Sequence, residues 1–216
     1  LSRIIFSDKL NFDIEKEYWQ KGFLVAGIDE VGRGCLAGPV VAASVIFKSY
    51  QDPVPGIKDS KKLNSLQRET LYKIISDTAL EFSYYFIDNE VIDKINILNA
   101  TMLAMENSVF NLKNQPEYLL IDGNFFLNKS YNYKTIVKGD SISPSIAASS
   151  IIAKVIRDEW MINVADKEFP QYDFKNNKGY GTKRHIQAIK EYGICKYHRL
   201  TFLKKISSLQ NSLFSV

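Results

Sequence analysis

The chain has 216 residues, of which 45% are hydrophobic and 24% charged. That balance belongs to a globular protein and excludes a disordered, collagen-like or disulfide-stapled chain. The net charge is +4, from 28 basic and 24 acidic residues, too mild a surplus to identify a partner until its distribution is followed. The two cysteines, Cys35 and Cys195, stand far apart in no ligand spacing, which argues against a zinc module and for a reducing compartment. Residues 1–20 carry charges throughout, so no signal peptide is expected. No apolar run is long enough to span a bilayer, so no membrane association is expected and the cytoplasm is the expected location.

Leu24–Ile28 reads as a buried strand running into Asp29-Glu30. After Gly38-Pro39, Val40–Phe47 reads as a second strand, its partner in a hairpin-like pair. Ser65–Leu80 is expected as a helix with Ser65 as N-cap and Leu66, Ile74 and Ile75 on its buried side. Phe82–Ile87 reads as a short aromatic strand. Leu98, Met102, Met105, Val109 and Leu112 repeat at helical spacing. Tyr118–Ile121 and Thr135–Val137 read as further strands, stopped by Asp122-Gly123 and Lys138-Gly139-Asp140. Ile146–Phe169 is expected as one long helix. It opens with Ala147-Ala148-Ser149-Ser150, residues small enough to let a helix backbone approach a sheet. Thr182–Tyr192 is expected as a helix with Thr182 as N-cap and Gly193 past its end. Strands followed by alternating helix and strand imply an α/β fold, a mixed sheet with helices on both sides.

Three apolar strands thus run into acids: Asp29-Glu30, Asp122 and Asp140. Strand-end acids can be solvated turn residues. If these three ends converge, the carboxylates repel one another and cannot all stay ionised without a cation. A hard divalent ion, Mg²⁺ or Mn²⁺, suits such a ligand set. Two of them would clamp the attacking and leaving oxygens of a phosphodiester displacement. Directly after the first acids comes Gly32-Arg33-Gly34. Its glycines free backbone N–H groups for a ligand, and its arginine offers charge-assisted contacts to phosphate. Gly-x-Gly alone is also an ordinary tight turn. Residues 175–190 contain Lys175, Lys178, Lys183, Arg184 and Lys190 and no acid, with Tyr180 and His185 among them. Cations interleaved with an aromatic suit a surface that tracks phosphates, although charge runs are often only solvated faces. His185 and His198 are not spaced as a metal pair, and general acid duty for His185 stays open.

The sequence resembles ribonuclease HII over roughly residues 24–203. The resemblance rests on Ala26-Gly27-Ile28-Asp29-Glu30-Val31-Gly32-Arg33-Gly34, Asp59-Ser60-Lys61-Lys62-Leu63, Asn96-Ile97-Leu98-Asn99-Ala100-Thr101-Met102, Leu120-Ile121-Asp122-Gly123-Asn124, Val137-Lys138-Gly139-Asp140-Ser141, Ala147-Ala148-Ser149-Ser150-Ile151-Ile152-Ala153-Lys154 and Lys178-Gly179-Tyr180-Gly181-Thr182. It implies a ribonuclease H-like mixed sheet flanked by helices, with a helical C-terminal extension. The expected division is an N-terminal extension over 1–20, a catalytic core over 21–165, and a helical portion over 166–216 packed on that core as one domain.

The resemblance also implies an endonuclease that cuts the RNA strand of RNA–DNA hybrids. It would cut on the 5′ side of ribonucleotides embedded in duplex DNA, by two-metal hydrolysis giving 3′-OH and 5′-phosphate ends. Asp29, Glu30, Asp122 and Asp140 would be the catalytic, metal-binding acids for two Mg²⁺ or Mn²⁺ ions, with Asp158 supporting them. Gly32, Arg33 and Gly34 would read the 2′-OH, the group that separates RNA from DNA. Tyr180 would stack on the sugar that follows, and Lys61, Lys62 and Lys183 would meet phosphates. A related type, ribonuclease HIII, typically carries an extra N-terminal domain. A binding module without catalysis and a scaffold with structural acids are the other classes weighed. Retention of all four acids speaks against the first. The second turns the ordered basic and tyrosine features into coincidence. Gln210, Leu213 and Phe214 in the tail resemble a short peptide that docks on the sliding clamp. A monomer is expected.

Overall fold

The computed structural model of the chain describes residues 10–57, 60–126 and 130–204. Strands β1 (Val25–Val31), β2 (Val40–Ile46), β3 (Glu81–Ile87), β4 (Tyr118–Asp122) and β5 (Asn132–Ile136) make one mixed sheet in the order β3-β2-β1-β4-β5. The flanking helices are α1 (Asp13–Trp19), α2 (Ser65–Thr78), α3 (Asn89–Phe110) and α4 (Pro144–Trp160). The shorter α5 (Asp166–Glu168), α6 (Phe174–Asn177), α7 (Lys183–Tyr192) and α8 (Leu200–Leu203) follow. Among the described residues no helix is long and apolar enough to cross a membrane. The chain divides into two compact units. One comprises Leu1–Val31, Ala42–Tyr85 and Met102–Val155; the other comprises Gly32–Val41, Phe86–Thr101 and Ile156–Val216.

In the first unit β1 runs parallel to β4, and β4 parallel to β5, with Ile28 opposite Ile121 and Asp122 opposite Ile136. The apolar runs of β1, β2 and β4 are buried, as interior strands must be. On β5 exposed and half-buried residues alternate, as suits an edge strand. The small-residue opening of α4 does what its composition implies. A Cβ added to Gly27 on β1 would lie 2.2 Å from the Ser145 backbone carbon, so helix and strand touch backbone to backbone. The Ser149 hydroxyl lies 2.6 Å from the Gly27 carbonyl.

Several details depart from the sequence reading. The cap of α2 is Asn64, not Ser65. Its side chain accepts from Gln67 N–H while Gln67 returns the bond, a reciprocal box that satisfies two orphan donors. Leu71 and Ile75 form the buried side of α2, whereas Leu66 and Ile74 are exposed. In α3, Met102, Met105 and Val109 are buried but Leu98 is exposed. The helix is broken at Asn96, which adopts φ 66° and caps the second part by accepting from Leu98 and Asn99 N–H. The expected helix over 146–169 is α4 followed by a π-helical turn, Met161–Ala165, before α5. Helix α1 was not foreseen. Phe12, Tyr18 and Trp19 bury it, and so does Glu15, whose carboxylate accepts from the Ser143 hydroxyl at 2.5 Å and Ser145 N–H at 3.1 Å.

The second unit has its own apolar cluster: Leu36, Ala37, Met161, Ala165, Tyr172, Phe174, Ala188, Ile189 and Leu203. Thr182 caps α7 as expected by accepting from His185 N–H, and Gly193 ends it at φ 76°.

Candidate nuclease site

The first unit holds the four acids. Parallel pairing of β1 and β4 in the register Ile28–Ile121 brings Asp29 and Asp122 onto neighbouring strands at the same level. Ligands commonly gather at such carboxyl ends of parallel strands. Asp29 is buried, and its carboxylate accepts from Glu30 N–H at 2.7 Å. Burial holds its carboxyl well above the ordinary range, and the charges of Glu30 and Asp122 push it further up. The Ser150 hydroxyl works the other way by bonding to it. Glu30 is half-buried at the next position of the strand. Asp122 accepts from Gly139 N–H at 2.7 Å. Asp140, buried in the turn Gly139–Ser141, has the Lys61 ammonium 3.7 Å from its carboxylate.

The segment expected to meet phosphate therefore turns toward the acids. Ser60 is buried and shares a 2.8 Å hydrogen bond with Ser150, the residue that bonds Asp29. Lys61 reaches Asp140 with an otherwise exposed side chain. The side chain of Lys62, Asp59, and the tail residues Gln210, Leu213 and Phe214 lie outside the described residues.

As a ligand set these acids fit a hard divalent cation. All are oxygen donors, and the mutual charge that pushes Asp29 up is what a cation would relieve. Among the described residues, though, no three acidic, imidazole or thiol groups converge closely enough to chelate an ion as they stand. Asp29, Asp122 and Asp140 each rest on a protein donor instead. Each of these contacts engages one carboxylate oxygen, and an ionised carboxylate has further lone pairs to offer a ligand.

The second unit holds the glycine loop and the Gly-Tyr-Gly motif, joined by backbone hydrogen bonds. Leu36 N–H donates to Gly179 O at 2.8 Å, and the Cys35 thiol lies 3.6 Å from Lys178 O. Gly32 requires glycine twice over. Its φ is 93°, and a Cβ there would fall 2.3 Å from the Arg157 Nε. Arg33 and Gly34 are exposed at the tip.

Two fully buried arginines staple this loop. Arg157 donates from Nε to Pro39 O (2.8 Å), from one terminal nitrogen to Lys178 O (2.9 Å) and from the other to Ala37 O (3.2 Å). Arg199 donates to Gly38 O from two nitrogens (2.9 and 2.8 Å) and to Arg33 O (3.1 Å). Burial lowers the Arg199 guanidinium to about 10, with the charge of Arg157 adding to the effect. Neither arginine was singled out from sequence. The only available signal was composition, since 6 of the 28 basic residues are arginine.

Tyr180 is 40% exposed. Burial of its hydroxyl and the neighbouring Cys35 thiol raise it to about 12, so it stays a neutral phenol. Asp158 is half-buried in this unit, and its charge is among those acting on Tyr180. Lys183 is exposed at the start of α7. Of the basic window, Arg184 pairs with Asp173 at 3.3 Å. His185 does not face solvent. It is buried against His198, with their Nε2 atoms 3.1 Å apart.

Comparison with known proteins places the fold and the sequence as a whole. The family model for ribonuclease HII matches residues 26–206. The chain is 52% identical over 200 residues to the ribonuclease HII of Endomicrobium trichonymphae, covering 92% of this chain and 93% of that one. It is 45% identical over 203 residues to that of Caldicellulosiruptor bescii, covering 94% and 98%. Among solved structures, the PCNA:RNase HII complex from Archaeoglobus fulgidus contains a similar chain. The TM-score is 0.70 at 27% identity, over 87% of this chain and 97% of that one.

Proposed function

Because the chain belongs to the ribonuclease HII family and is a nuclease, a hydrolase of phosphodiester bonds, we propose that it cuts on the 5′ side of ribonucleotides. Its substrates would be RNA–DNA hybrids and single ribonucleotides embedded in duplex DNA, and its products would carry 3′-OH and 5′-phosphate ends. The family cleaves the RNA of RNA–DNA hybrids and is metal-dependent. The finer reading rests above all on one observation: the register of β1 and β4 sets a buried Asp29 level with Asp122 on the neighbouring strand, with Glu30 next to it in the chain.

Asp29, Glu30, Asp122 and Asp140 are the acids that would hold two Mg²⁺ or Mn²⁺ ions. When bound, such ions supply Lewis-acid activation of water and charge for the phosphoryl oxygens. Ser150 keeps Asp29 oriented through its hydroxyl, with Ser60 behind it. Lys61 offsets Asp140 and, with Lys62 and Lys183, is available to phosphate. Gly32-Arg33-Gly34 follows Glu30-Val31 directly in the chain. Its backbone groups read the 2′-OH, while the half-exposed ring of Tyr180 stacks on the sugar that follows. The tail residues Gln210, Leu213 and Phe214 would dock on a sliding clamp, a reading supported by the PCNA complex of the Archaeoglobus protein.

The test is a duplex DNA with one ribonucleotide, incubated with Mg²⁺, Mn²⁺ or chelator. Cutting with metal and none with chelator is expected. No cut with either metal would overturn the assignment.

A further inference from the structure

His185 and His198 are 13 positions apart in sequence yet meet in the second unit with Nε2 atoms 3.1 Å apart. Their surroundings settle which nitrogens carry protons. Cys195 N–H donates to His198 Nδ1 at 2.9 Å, and the Cys195 thiol lies 3.2 Å from the same nitrogen. His198 Nδ1 is therefore an acceptor, and a neutral His198 carries its proton on Nε2. That N–H points at His185 Nε2, which must then accept. The remaining nitrogen of His185, Nδ1, is 2.9 Å from the Tyr180 carbonyl, which can only accept, so it must donate. Every link has one donor and one acceptor, and the chain runs one way, from Cys195 N–H through two imidazoles to Tyr180 C=O.

The pocket keeps both rings neutral. Tyr172 stands edge-on to His198 with ring centres 4.8 Å apart, and Phe174 edge-on to His185 at 5.3 Å. Burial pushes the His185 imidazole below its usual value, and burial together with His185 lowers His198 to about 3. A proton on either ring would set two N–H groups head to head.

Tyr180 needs such an anchor. It lies between Gly179, at φ 82°, and Gly181, which do little to restrict the backbone. Its amide donates to Asn177 O at 2.9 Å, and its carbonyl accepts from Thr182 N–H at 2.8 Å and from His185. We propose that the His185–His198 pair is a positioning element for Tyr180. Its fixed tautomers hold the tyrosine carbonyl so that the ring can discriminate the sugar following a ribonucleotide. This inference rests on the stacking role proposed for Tyr180, and the tests separate the two.

Nitrogen-15 NMR of histidine-labelled wild-type protein near pH 7 should show two neutral rings, His198 protonated at Nε2 and His185 at Nδ1. A charged ring, or the opposite tautomer on either, overturns the inference. The second measurement is the ratio of kcat/KM on a single-ribonucleotide duplex to that on a uniform RNA–DNA hybrid, in which the following sugar is never deoxy. His185→Gln, which loses the donor at the Nδ1 position, should lower this ratio about three- to tenfold, the worth of one neutral hydrogen bond. His185→Asn, which restores a donor there, should keep it within about twofold. A purely structural role would lower both activities together and leave the ratio unchanged, which overturns the inference. If Tyr180→Ala lowers the ratio and His185→Gln does not, only the positioning role falls. If Tyr180→Ala leaves it unchanged, the stacking role falls, and positioning with it.

Discussion

The acid cluster and the glycine loop solve opposite electrostatic problems. In the first unit the negative charges are crowded: Asp29 is buried beside Glu30 and Asp122, and its carboxyl is pushed up as a result. In the second unit the buried charges are positive. Arg157 and Arg199 are fully buried but donate to five backbone carbonyls between them, those of Arg33, Ala37, Gly38, Pro39 and Lys178. The first arrangement is of the kind that a bound cation relieves. The second is satisfied within the protein, and what it gains is a fixed loop. Chemistry that depends on an added ion tolerates crowding until the ion arrives, whereas recognition by backbone groups needs them held before the ligand does.

Breaking each side should therefore fail in a different way. Asp122→Asn removes a carboxylate from the crowded side. It should lower cleavage by at least about a thousandfold while leaving affinity for an uncut duplex within a few-fold, as measured by binding in chelator. Arg199→Met breaks the satisfied side by leaving buried carbonyls without donors. It should cost about 3 kcal/mol or more in urea unfolding, with cleavage falling in step with the loss of folded protein. Asp29→Asn sharpens the contrast. The folded-state carboxyl is raised, so its ionised form opposes folding at neutral pH. The amide should abolish activity yet raise Tm in chelator, by about 2–4 °C for each kcal/mol relieved.

The smallest effect concerns pH. The two imidazoles are depressed in the fold, so they stay neutral while the unfolded chain takes up protons. Their contribution is fully present above the ordinary value of 6.5 and is lost as pH falls below it, toward about 3 for His198. His185→Asn, with one imidazole fewer, should lose less stability than wild type between pH 7 and pH 5 in urea titrations. Equal losses would contradict the assigned protonation states.

The sheet and the meeting of Asp29 with Asp122 on neighbouring strands were legible because they follow local pattern. Apolar runs marked β1 and β4, and the acids stand where those runs stop. The small residues of α4 likewise announced its close approach to β1. What was not legible depends on residues distant in sequence. Nothing local pairs His185 with His198, or Arg199 with Gly38, 161 positions earlier. The pairing of Lys61 with Asp140 was hidden too, because the two lie far apart along the chain. Helix α1 is short, and the burial of Phe12, Tyr18 and Trp19 and the Glu15–Ser143 bond hold it more than propensity does. Asn64 took the α2 cap from Ser65 because Gln67 completes a reciprocal box only with Asn64.

The central claim is that the acids direct hydrolysis to the 5′ side of a ribonucleotide. The most direct measurement is to map the ends left in a duplex DNA carrying one ribonucleotide. A 3′-OH on the upstream deoxynucleotide and a 5′-phosphate on the ribonucleotide, formed with Mg²⁺ or Mn²⁺ and lost in Asp122→Asn, are the predicted products. A 2′,3′-cyclic phosphate on the ribonucleotide would contradict the account, because its own 2′-OH would then have been the nucleophile.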